Sequence, residues 1–391
     1  MASPFRFGTD VLLEERREWL TGRRIGLIAH PAAVASDGRP TAVHLRANRT
    51  WRLSALFGPE HGWHGRAGAG ERCASGRHAK WNLPVHSLYG KTRKPTRAMV
   101  RGLDTLVFDV QDLGVRCYTY VSTLRLAMEA AAEYGLRFIV ADRPVPLGAA
   151  CDGPRPDPAF ASFVAAVDTP FVYGLTPGET ARWLRDALGL DLDLRVAPMR
   201  GYARESRVGK PGMRWIAPSP AIRSLAAAQA YPVTVCFEAF GGADHARRTR
   251  FPFQAVAAPW LRARDTAEAL TDARLPGIRF QPCAYAPAGG RSPRWPGVRL
   301  RVTDPVALRP ALAAVTLTSV LARRHGKDRL WAPAQGGRPE FFDRLFGTDA
   351  VRLALLDGDS PARIAARWKK DLQSFRIARR MHALYKQKEQ V

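Results

Sequence analysis

Four short apolar runs, each ending in polar residues, constrain the fold of this chain more than any other feature of its sequence. The runs cover residues 25–29, 53–57, 105–110 and 138–142, and their length and composition are typical of buried strands. The polar residues at or just beyond their ends are His30, Glu60 and His61, Asp109 and Asp112, and Asp142 and Arg143. Because the carboxyl ends of parallel strands meet at one sheet edge, where ligands bind in open α/β sheets, we expect these side chains to converge on one site.

Helical patterns separate the predicted strands. Residues 10–20, 40–50 and 118–133 have the apolar spacing of helices. This strand–helix–strand order predicts an α/β domain built on a doubly wound parallel sheet with crossover helices. A further strand is predicted at 192–197. It follows a helix that begins with Thr176 and Glu179, which we interpret as a capping box rather than as site residues.

A second domain is predicted after a stretch rich in glycine and proline at 200–217. We expect residues 1–210 to form the α/β domain and residues 211–391 to form a smaller α+β domain that closes a cleft. The predicted elements of this second domain are strands at 233–237 and 298–303 and helices at 305–325, 350–357 and 360–387.

Length, charge and cysteine usage narrow the class of protein. The 391 residues carry a formal net charge of +25, spread along the chain rather than gathered into a tract, which favours a solvated basic surface over a nucleic-acid partner. No apolar run reaches the roughly 18 residues of a membrane span, and the N-terminus lacks the apolar region of a signal peptide. Five scattered cysteines without a CxxC pair argue against a disulfide framework and a zinc ribbon. We therefore expect a cytoplasmic protein.

The densest group of candidate site residues lies within residues 57–65. Glu60, His61 and His64 follow a strand break at Gly58, and three glycines allow the backbone to approach a ligand closely. The irregular segment 66–98 comes next, and an ordered loop of this length is typical of a lid or a binding loop. A carboxylate and two imidazoles at a strand end indicate a site, whereas the alternative is a turn with solvated polar side chains.

Eight motifs distributed over the chain carry a family resemblance. They are Phe57-Gly-Pro-Glu-His-Gly62, Leu88-Tyr-Gly90, Arg93-Lys-Pro95, Val107-Phe-Asp-Val-Gln-Asp-Leu-Gly-Val-Arg116, Tyr118-Thr-Tyr120, Asp142-Arg-Pro144, Pro218-Ser-Pro220 and Phe342-Asp-Arg-Leu-Phe-Gly-Thr-Asp349. Together they resemble the exo-β-N-acetylmuramidases of glycoside hydrolase family 171. The resemblance implies a Rossmann-like N-terminal domain, a smaller C-terminal domain and a cleft between them. It also implies that N-acetylmuramic acid is released from the non-reducing end of peptidoglycan fragments in cell-wall recycling, without a cofactor.

By motif position, the resemblance implies that Glu60 and Glu129 are the catalytic glutamates. Glycoside hydrolysis usually needs one carboxylic acid to protonate the leaving oxygen and one carboxylate to activate water or to attack. We expect Glu60 to be the general acid. Alternatives to Glu129 for the second role are Asp109, Asp112 and Asp142.

Residue types at the other motif positions predict how an amino sugar is bound. Arg116 or Arg143 suits the lactyl carboxylate of a muramic acid, because guanidinium groups bind carboxylates in a planar, bidentate way. Aromatic rings at 63, 118 and 120 suit stacking on a sugar ring. The full predicted set of binding residues is His61, His64, Asp109, Asp112, Arg116, Tyr118, Tyr120, Asp142, Arg143 and Ser219.

The sequence also departs from the family pattern. His30, Val145, Tyr173 and Ala221 replace asparagine or histidine, and residues 238–241 replace a Glu-Gly-Thr-Asn segment. Losing such hydrogen-bonding groups weakens the discrimination between sugars, so the alternative is a non-catalytic sugar- or metabolite-binding descendant that uses the same cleft.

Metal-dependent hydrolysis is a third hypothesis, with His61, His64, Asp109 and Asp112 as ligands. The HxxH spacing is weak support for a metal site, because the two histidines do not lie on a predicted helix as they do in metalloproteases. A dinucleotide cofactor is disfavoured as well, because no GxGxxG follows the first strand.

Overall fold

The computed structural model describes residues 5–148, 150–204, 215–287 and 293–385. The strands are β1 (Arg24–Ala29), β2 (Arg52–Gly58), β3 (Gly76–Arg77), β4 (Pro84–Ser87), β5 (Thr105–Asp109), β6 (Arg137–Ala141), β7 (Leu194–Ala197), β8 (Ala255–Ala257), β9 (Ile278–Tyr285) and β10 (Trp295–Val302). The α-helices are α1 (Gly8–Glu14), α2 (Thr41–Ala47), α3 (Arg97–Val100), α4 (Tyr120–Glu133), α5 (Pro177–Ala187), α6 (Leu225–Thr234), α7 (Ala263–Asp272), α8 (Pro310–His325), α9 (Asp328–Trp331), α10 (Pro339–Phe346), α11 (Ala350–Leu356), α12 (Pro361–Ala366) and α13 (Lys369–Arg380). Short 3-10 helices lie at Arg17–Trp19, Pro158–Phe160, Val235–Ala239 and Pro333–Gln335.

The first seven strands form one sheet in the order β3-β4-β2-β1-β5-β6-β7. Neighbouring strands in the run β4-β2-β1-β5-β6-β7 are all parallel, and β3 pairs with β4 in the antiparallel direction. The chain runs outward from β1 to one side and then crosses back to β5 on the other. This order reversal confirms the predicted doubly wound α/β sheet and places the topological switch point beside β1.

Alternating side chains of the central strands pack on opposite faces of this sheet, as the two-residue period of a strand requires. Ile25 and Leu27 of β1 pack with Val11 and Leu45 of helices α1 and α2. On the other face, Ile28 belongs to the core that also contains the apolar side chains of α4 and α5. Helices on both faces therefore bury the sheet and leave the carboxyl ends of its strands as the open edge.

One prediction within the N-terminal half differs from the structure in detail, and another is confirmed. Segment 66–98, predicted as irregular, contributes β3 and β4. These strands were not recognisable from apolar spacing because they lie at the sheet edge, and β3 is exposed. The capping box of α5 is confirmed: the Thr176 hydroxyl accepts from the Glu179 amide, and the Glu179 carboxylate accepts from the Thr176 amide at 3.0 Å.

The C-terminal part forms a smaller domain around an antiparallel sheet in the order β8-β10-β9. The predicted strand at 298–303 is confirmed as part of β10, whereas the predicted strand at 233–237 is wrong. Those residues end α6 and form the 3-10 helix Val235–Ala239. Helix α6 begins where the Ser224 hydroxyl accepts a hydrogen bond from the Ala227 amide. The helix is apolar on every side, so the sequence of its β-branched C-terminal end shows no helical periodicity and resembles a strand.

The remaining helices agree with the predicted ones at 305–325 and 350–357. The helix predicted at 360–387 is divided into α12 and α13, and its last two predicted residues lie outside the described part of the chain. The predicted domain boundary between residues 210 and 211 lies outside the described residues. Within the part of the chain that the structure describes, no helix is both long and apolar enough to cross a membrane.

Candidate active site

A cavity of about 730 Å³ opens at the carboxyl end of β2. The N-terminal half contributes the turn after β2, residues 68–70, Tyr89, residues 117–119 and Val164, and residues from 219 onward contribute the remaining wall. The residues that form its lining are Glu60, His61, Gly68, Ala69, Gly70, Tyr89, Cys117, Tyr118, Thr119, Val164, Ser219, Pro220, Ala221, Ile222, Arg223, Tyr231, Val235, Glu238, Arg247, Arg248, Phe253, Arg338, Phe341 and Leu345. The cavity therefore lies between segments of the N-terminal half and segments of the C-terminal part.

Glu60 is positioned by a tight turn over the end of β2. The backbone folds back so closely that a Cβ atom at Gly58 would lie 2.3 Å from the Trp63 backbone nitrogen. His61 adopts a φ of 71°, in the left-handed region that non-glycine residues rarely occupy. The Nδ1 atom of His61 lies 2.8 Å from the Ala67 carbonyl oxygen, which fixes the ring. The turn thus holds Glu60 rigidly at the cavity floor.

Both oxygens of the Glu60 carboxylate accept hydrogen bonds. The Gly70 amide donates to Oε1 at 2.7 Å, and the Thr119 hydroxyl donates to Oε2. Tyr89 is also close to this carboxylate: burial, followed by the negative charge of Glu60, raises the pKa of the Tyr89 phenol. An acceptor held by donors in this way is oriented before a ligand arrives.

Glu238 is the second carboxylate in the cavity wall. It lies on the 3-10 helix Val235–Ala239 and is largely buried, and this burial raises its pKa. Arg247, with Nη1 at 3.7 Å from the carboxylate, lowers that pKa in part, and the negative charge of Glu60 raises it. The neighbouring His245, 3.8 Å away, is uncharged because burial lowers its pKa to about 3. The negative charge of Glu60 thus acts on the second carboxylate of the cavity, and the net effect of its surroundings raises the pKa of Glu238.

Four arginines surround these two carboxylates: Arg223, Arg247, Arg248 and Arg338. The Arg338 guanidinium packs over the ring of Phe341 at 4.6 Å, and Arg223 donates to the Thr249 carbonyl. The lining thus contains four guanidinium groups and two carboxylates, an excess of positive charge. Such a cavity favours an anionic ligand.

The structure brings four of the sequence-predicted site residues together in the cavity: Glu60, His61, Tyr118 and Ser219. His64 lies on the exposed part of the turn after β2. Glu129 lies on α4, where its Oε1 atom pairs with Arg125 at 2.7 Å. Tyr120 lies beneath the cavity and donates its phenolic hydrogen to the Pro218 carbonyl at 2.6 Å.

The predicted binding residues Asp109, Arg143 and Asp142 lie in the protein interior instead. Asp109 accepts from Arg143, Thr9 and Thr41 and is fully buried. Asp142 caps α5 by accepting from the Gly178 amide at 2.7 Å, and burial raises its pKa to about 7. These strand-end polar residues fasten helices to the sheet.

Asp112 and Arg116 are likewise engaged by the protein. The Tyr173 hydroxyl donates to Asp112 at 2.6 Å, and burial raises the pKa of Asp112 to about 6. The Arg116 guanidinium donates to the carbonyls of Pro154, Thr169 and Phe346 and is fully buried. It therefore connects the segment after β6 to α10.

Sequence reasoning missed Tyr89, Thr119, Glu238 and the four arginines. Tyr89 and Thr119 both lie within recognised motifs, so motif membership was the available signal. Glu238 is the first residue of segment 238–241, which departs from the family's Glu-Gly-Thr-Asn. The glutamate itself is retained there, and this retention was the available signal. The arginines had no signal beyond the general basicity of the chain. Within the described residues, no group of three or more His, Cys, Asp or Glu side chains has metal-ligand geometry.

The cavity of this α/β fold contains two carboxylates, the residue type that glycoside hydrolysis uses for acid and base catalysis. The family models "Exo-beta-N-acetylmuramidase NamZ, N-terminal" and "Exo-beta-N-acetylmuramidase NamZ, C-terminal" match residues 25–226 and 229–385. The chain belongs to this exo-β-N-acetylmuramidase family.

Similar proteins agree with this membership. The chain is 34% identical over 381 residues to the peptidoglycan β-N-acetylmuramidase NamZ of Bacillus subtilis (strain 168), covering 97% of this chain and 91% of that protein. The structure is similar to those of two DUF1343 family proteins from Bacteroides fragilis. Each similarity covers 98% of this chain and 99% of the Bacteroides chain. One has a TM-score of 0.90 at 33% identity, and the other has a TM-score of 0.75 at 26% identity.

Proposed function

We propose that this protein is an exo-acting glycoside hydrolase that releases N-acetylmuramic acid, or a close relative, from the non-reducing end of peptidoglycan fragments. The observation that carries the proposal is the presence of two carboxylates, Glu60 and Glu238, in a cavity lining that also contains four arginines. The carboxylates supply the acid and base functions, and the arginines suit the lactyl carboxylate that distinguishes muramic acid from glucosamine. The free cysteines support a reducing, cytoplasmic setting for this reaction.

In the proposed mechanism, Glu238 is the general acid and Glu60 is the carboxylate that activates water or attacks the anomeric carbon. A general acid needs a raised pKa, and burial gives Glu238 that property. Glu60 accepts two hydrogen bonds, which hold its carboxylate in a fixed orientation. This assignment transfers the acid role that the sequence predicted for Glu60 to Glu238, and it keeps Glu60 as a catalytic residue.

The positions of the residues that depart from the family pattern favour a catalytic protein over a non-catalytic descendant. His30 is buried, and its Nε2 atom lies 2.9 Å from the Gln111 amide nitrogen. Tyr173 is fully buried against Asp112, and Val145 is buried beside Gly114. Of the four single replacements, only Ala221 belongs to the lining that the described residues form. Most of the replacements therefore act beneath the cavity rather than on a bound sugar.

Hydrolysis of a chromogenic β-N-acetylmuramide beside the matching β-N-acetylglucosaminide tests the function. We expect turnover of the muramide and at least a tenfold lower kcat/KM for the glucosaminide, because the latter lacks the lactyl carboxylate that the arginines face. Thermal stabilisation of the protein by N-acetylmuramic acid without turnover of either compound would instead identify a binding protein.

Glu238→Gln and Glu129→Gln distinguish the two candidates for the second catalytic carboxylate. We expect Glu238→Gln to lower kcat on the disaccharide N-acetylmuramyl-N-acetylglucosamine about 100-fold or more. The loss on an aryl muramide should be smaller, because a phenolate leaves without a proton. Glu129→Gln should leave both rates within about twofold of the wild type, since its carboxylate pairs with Arg125 on α4. A large loss in Glu129→Gln with normal activity in Glu238→Gln would refute our assignment.

The pH dependence of Arg247→Gln tests the acid role of Glu238. The acid must be protonated, so kcat/KM falls as the pH rises through its pKa. Arg247 favours the ionised form of Glu238 and lowers this pKa, and its removal therefore moves the alkaline limb of the pH profile to higher pH. Arg248→Gln is the matched control, because it removes a neighbouring cavity cation that is not among the groups shifting Glu238. An unmoved alkaline limb in Arg247→Gln would exclude Glu238 as the titrating acid.

A further inference from the structure

A second, smaller pocket of about 370 Å³ adjoins the large cavity. Its lining consists of Gly70, Arg72 and residues 89–93, and Gly70 and Tyr89 also belong to the lining of the large cavity. The Cys73 amide donates to the Tyr89 carbonyl at 2.9 Å and joins these two parts of the chain. The pocket is therefore an ordered part of the segment between β2 and β5.

The lining of the small pocket is strongly basic. Its side chains include Arg72, Lys91 and Arg93, and the described residues contribute no carboxylate to it. Arg93 is held in place, because its guanidinium packs over the rings of Phe163 at 4.2 Å and Tyr89 at 5.1 Å. Three cations around one concave surface form a site for an anion rather than for a neutral sugar.

The small pocket is linked to the catalytic carboxylate through shared residues. The Gly70 amide that donates to Glu60 belongs to its wall. The Tyr89 ring packs against Arg93, and its phenol is influenced by both charges: burial and the charge of Glu60 raise its pKa, and Arg93 lowers it. The two pockets therefore adjoin at Gly70 and Tyr89, and Gly70 is hydrogen-bonded to Glu60.

We propose that the small pocket is a binding subsite for an anionic group on the leaving part of the substrate, and that Arg72, Lys91 and Arg93 bind a carboxylate there. The proposal rests on the muramidase function proposed above. If the released sugar occupies the large cavity, the leaving chain must extend past the catalytic carboxylates. In peptidoglycan that chain begins with neutral N-acetylglucosamine, so the first carboxylate is on the muramic acid that follows, either on its lactyl group or on the peptide attached there.

Two trisaccharides of N-acetylmuramic acid, N-acetylglucosamine and N-acetylmuramic acid test the subsite. One carries a free lactyl carboxylate on the reducing-end sugar, and in the other this group is an uncharged amide. We expect the wild type to cleave the charged compound with about tenfold higher kcat/KM, because two or three partly exposed charge contacts each contribute modestly. Raising the salt concentration should reduce this preference. A third compound, with L-alanyl-D-glutamate on the same lactyl group, shows whether a peptide carboxylate is also accepted.

The double variant Arg72→Gln/Lys91→Gln should cleave both trisaccharides equally and at the wild-type rate for the amide. Arg93 is left in place because it packs on Tyr89 and Phe163. The double variant Lys80→Gln/Arg101→Gln is the matched control, since it removes the same charge from exposed positions outside the pocket and should keep the preference. Equal rates in the wild type, or a preference retained without Arg72 and Lys91, would overturn the subsite.

Binding measurements with the two trisaccharides show whether a negative result refutes the subsite or the proposed function. If neither trisaccharide is cleaved, the muramidase function is refuted. The ratio of their dissociation constants, measured by calorimetry, then decides the subsite. A ratio near one would overturn it, and tighter binding of the charged compound that depends on Arg72 and Lys91 would support it.

Discussion

Replacing Glu60 by glutamine is expected to lower kcat by about 1,000-fold or more while leaving the protein folded. The amide has nearly the same shape as the carboxylate, and its oxygen can still accept from the Gly70 amide. It can neither attack the anomeric carbon nor take a proton from water, and loss of such a group costs several kcal/mol of transition-state stabilisation. Initial rates on N-acetylmuramyl-N-acetylglucosamine, together with a melting temperature, measure both parts of the expectation.

Glu71→Gln is the matched control for this experiment. Glu71 is exposed and lies on the same segment, where its Oε2 atom accepts from the Gly68 amide at 2.7 Å, but it is not among the cavity-lining residues. We expect it to retain near-normal activity. Normal turnover in Glu60→Gln would remove the basis of the proposed mechanism, and a folded but inactive Glu71→Gln would show that the segment itself, rather than one carboxylate, limits the rate.

The position of Glu60 was predictable from local sequence, because a buried strand followed by a Gly-Pro break determines where the next residues lie. The partners of Glu60 were only partly predictable. Gly70 and Tyr89 lie in a segment without apolar periodicity, and Glu238 comes from a distant helix that resembled a strand in the sequence. No local pattern specifies which distant segment closes a cleft, since that depends on the packing of the two domains.

The prediction that all strand-end polar residues converge on the ligand site is too simple for this fold. Glu60 faces the cavity, but Asp109 and Asp142 follow equally apolar strands and bind the N-terminal parts of neighbouring helices instead. A buried carboxylate must find donors. Here the hydroxyl of Thr9 on α1 and the Gly178 amide at the start of α5 provide them, and neither partner could be identified before the helices were placed against the sheet.

Arg143→Met is expected to lower the free energy of unfolding by about 3–5 kcal/mol. Arg143 and Asp109 are both buried, and the guanidinium also donates to the Val34 carbonyl at 2.7 Å and packs over the Phe7 ring at 4.8 Å. Without Arg143, the Asp109 carboxylate remains in the interior without a counter-charge, and breaking a buried ion pair in this way is strongly destabilising. Urea denaturation of the purified variant measures the loss.

The pair Arg155 and Asp168 provides the comparison, because both side chains are substantially exposed. Arg155→Met should lower the free energy of unfolding by about 1 kcal/mol or less.

Measurements of activity distinguish a structural role of Arg143 from the substrate contact that the sequence predicted for it. If the residue only fastens α1 to the sheet, the folded fraction of Arg143→Met keeps a KM close to that of the wild type, and Asp109→Asn is destabilised in the same way. A raised KM with unchanged stability would instead mean that Arg143 leaves Asp109 to bind the carboxylate of the substrate.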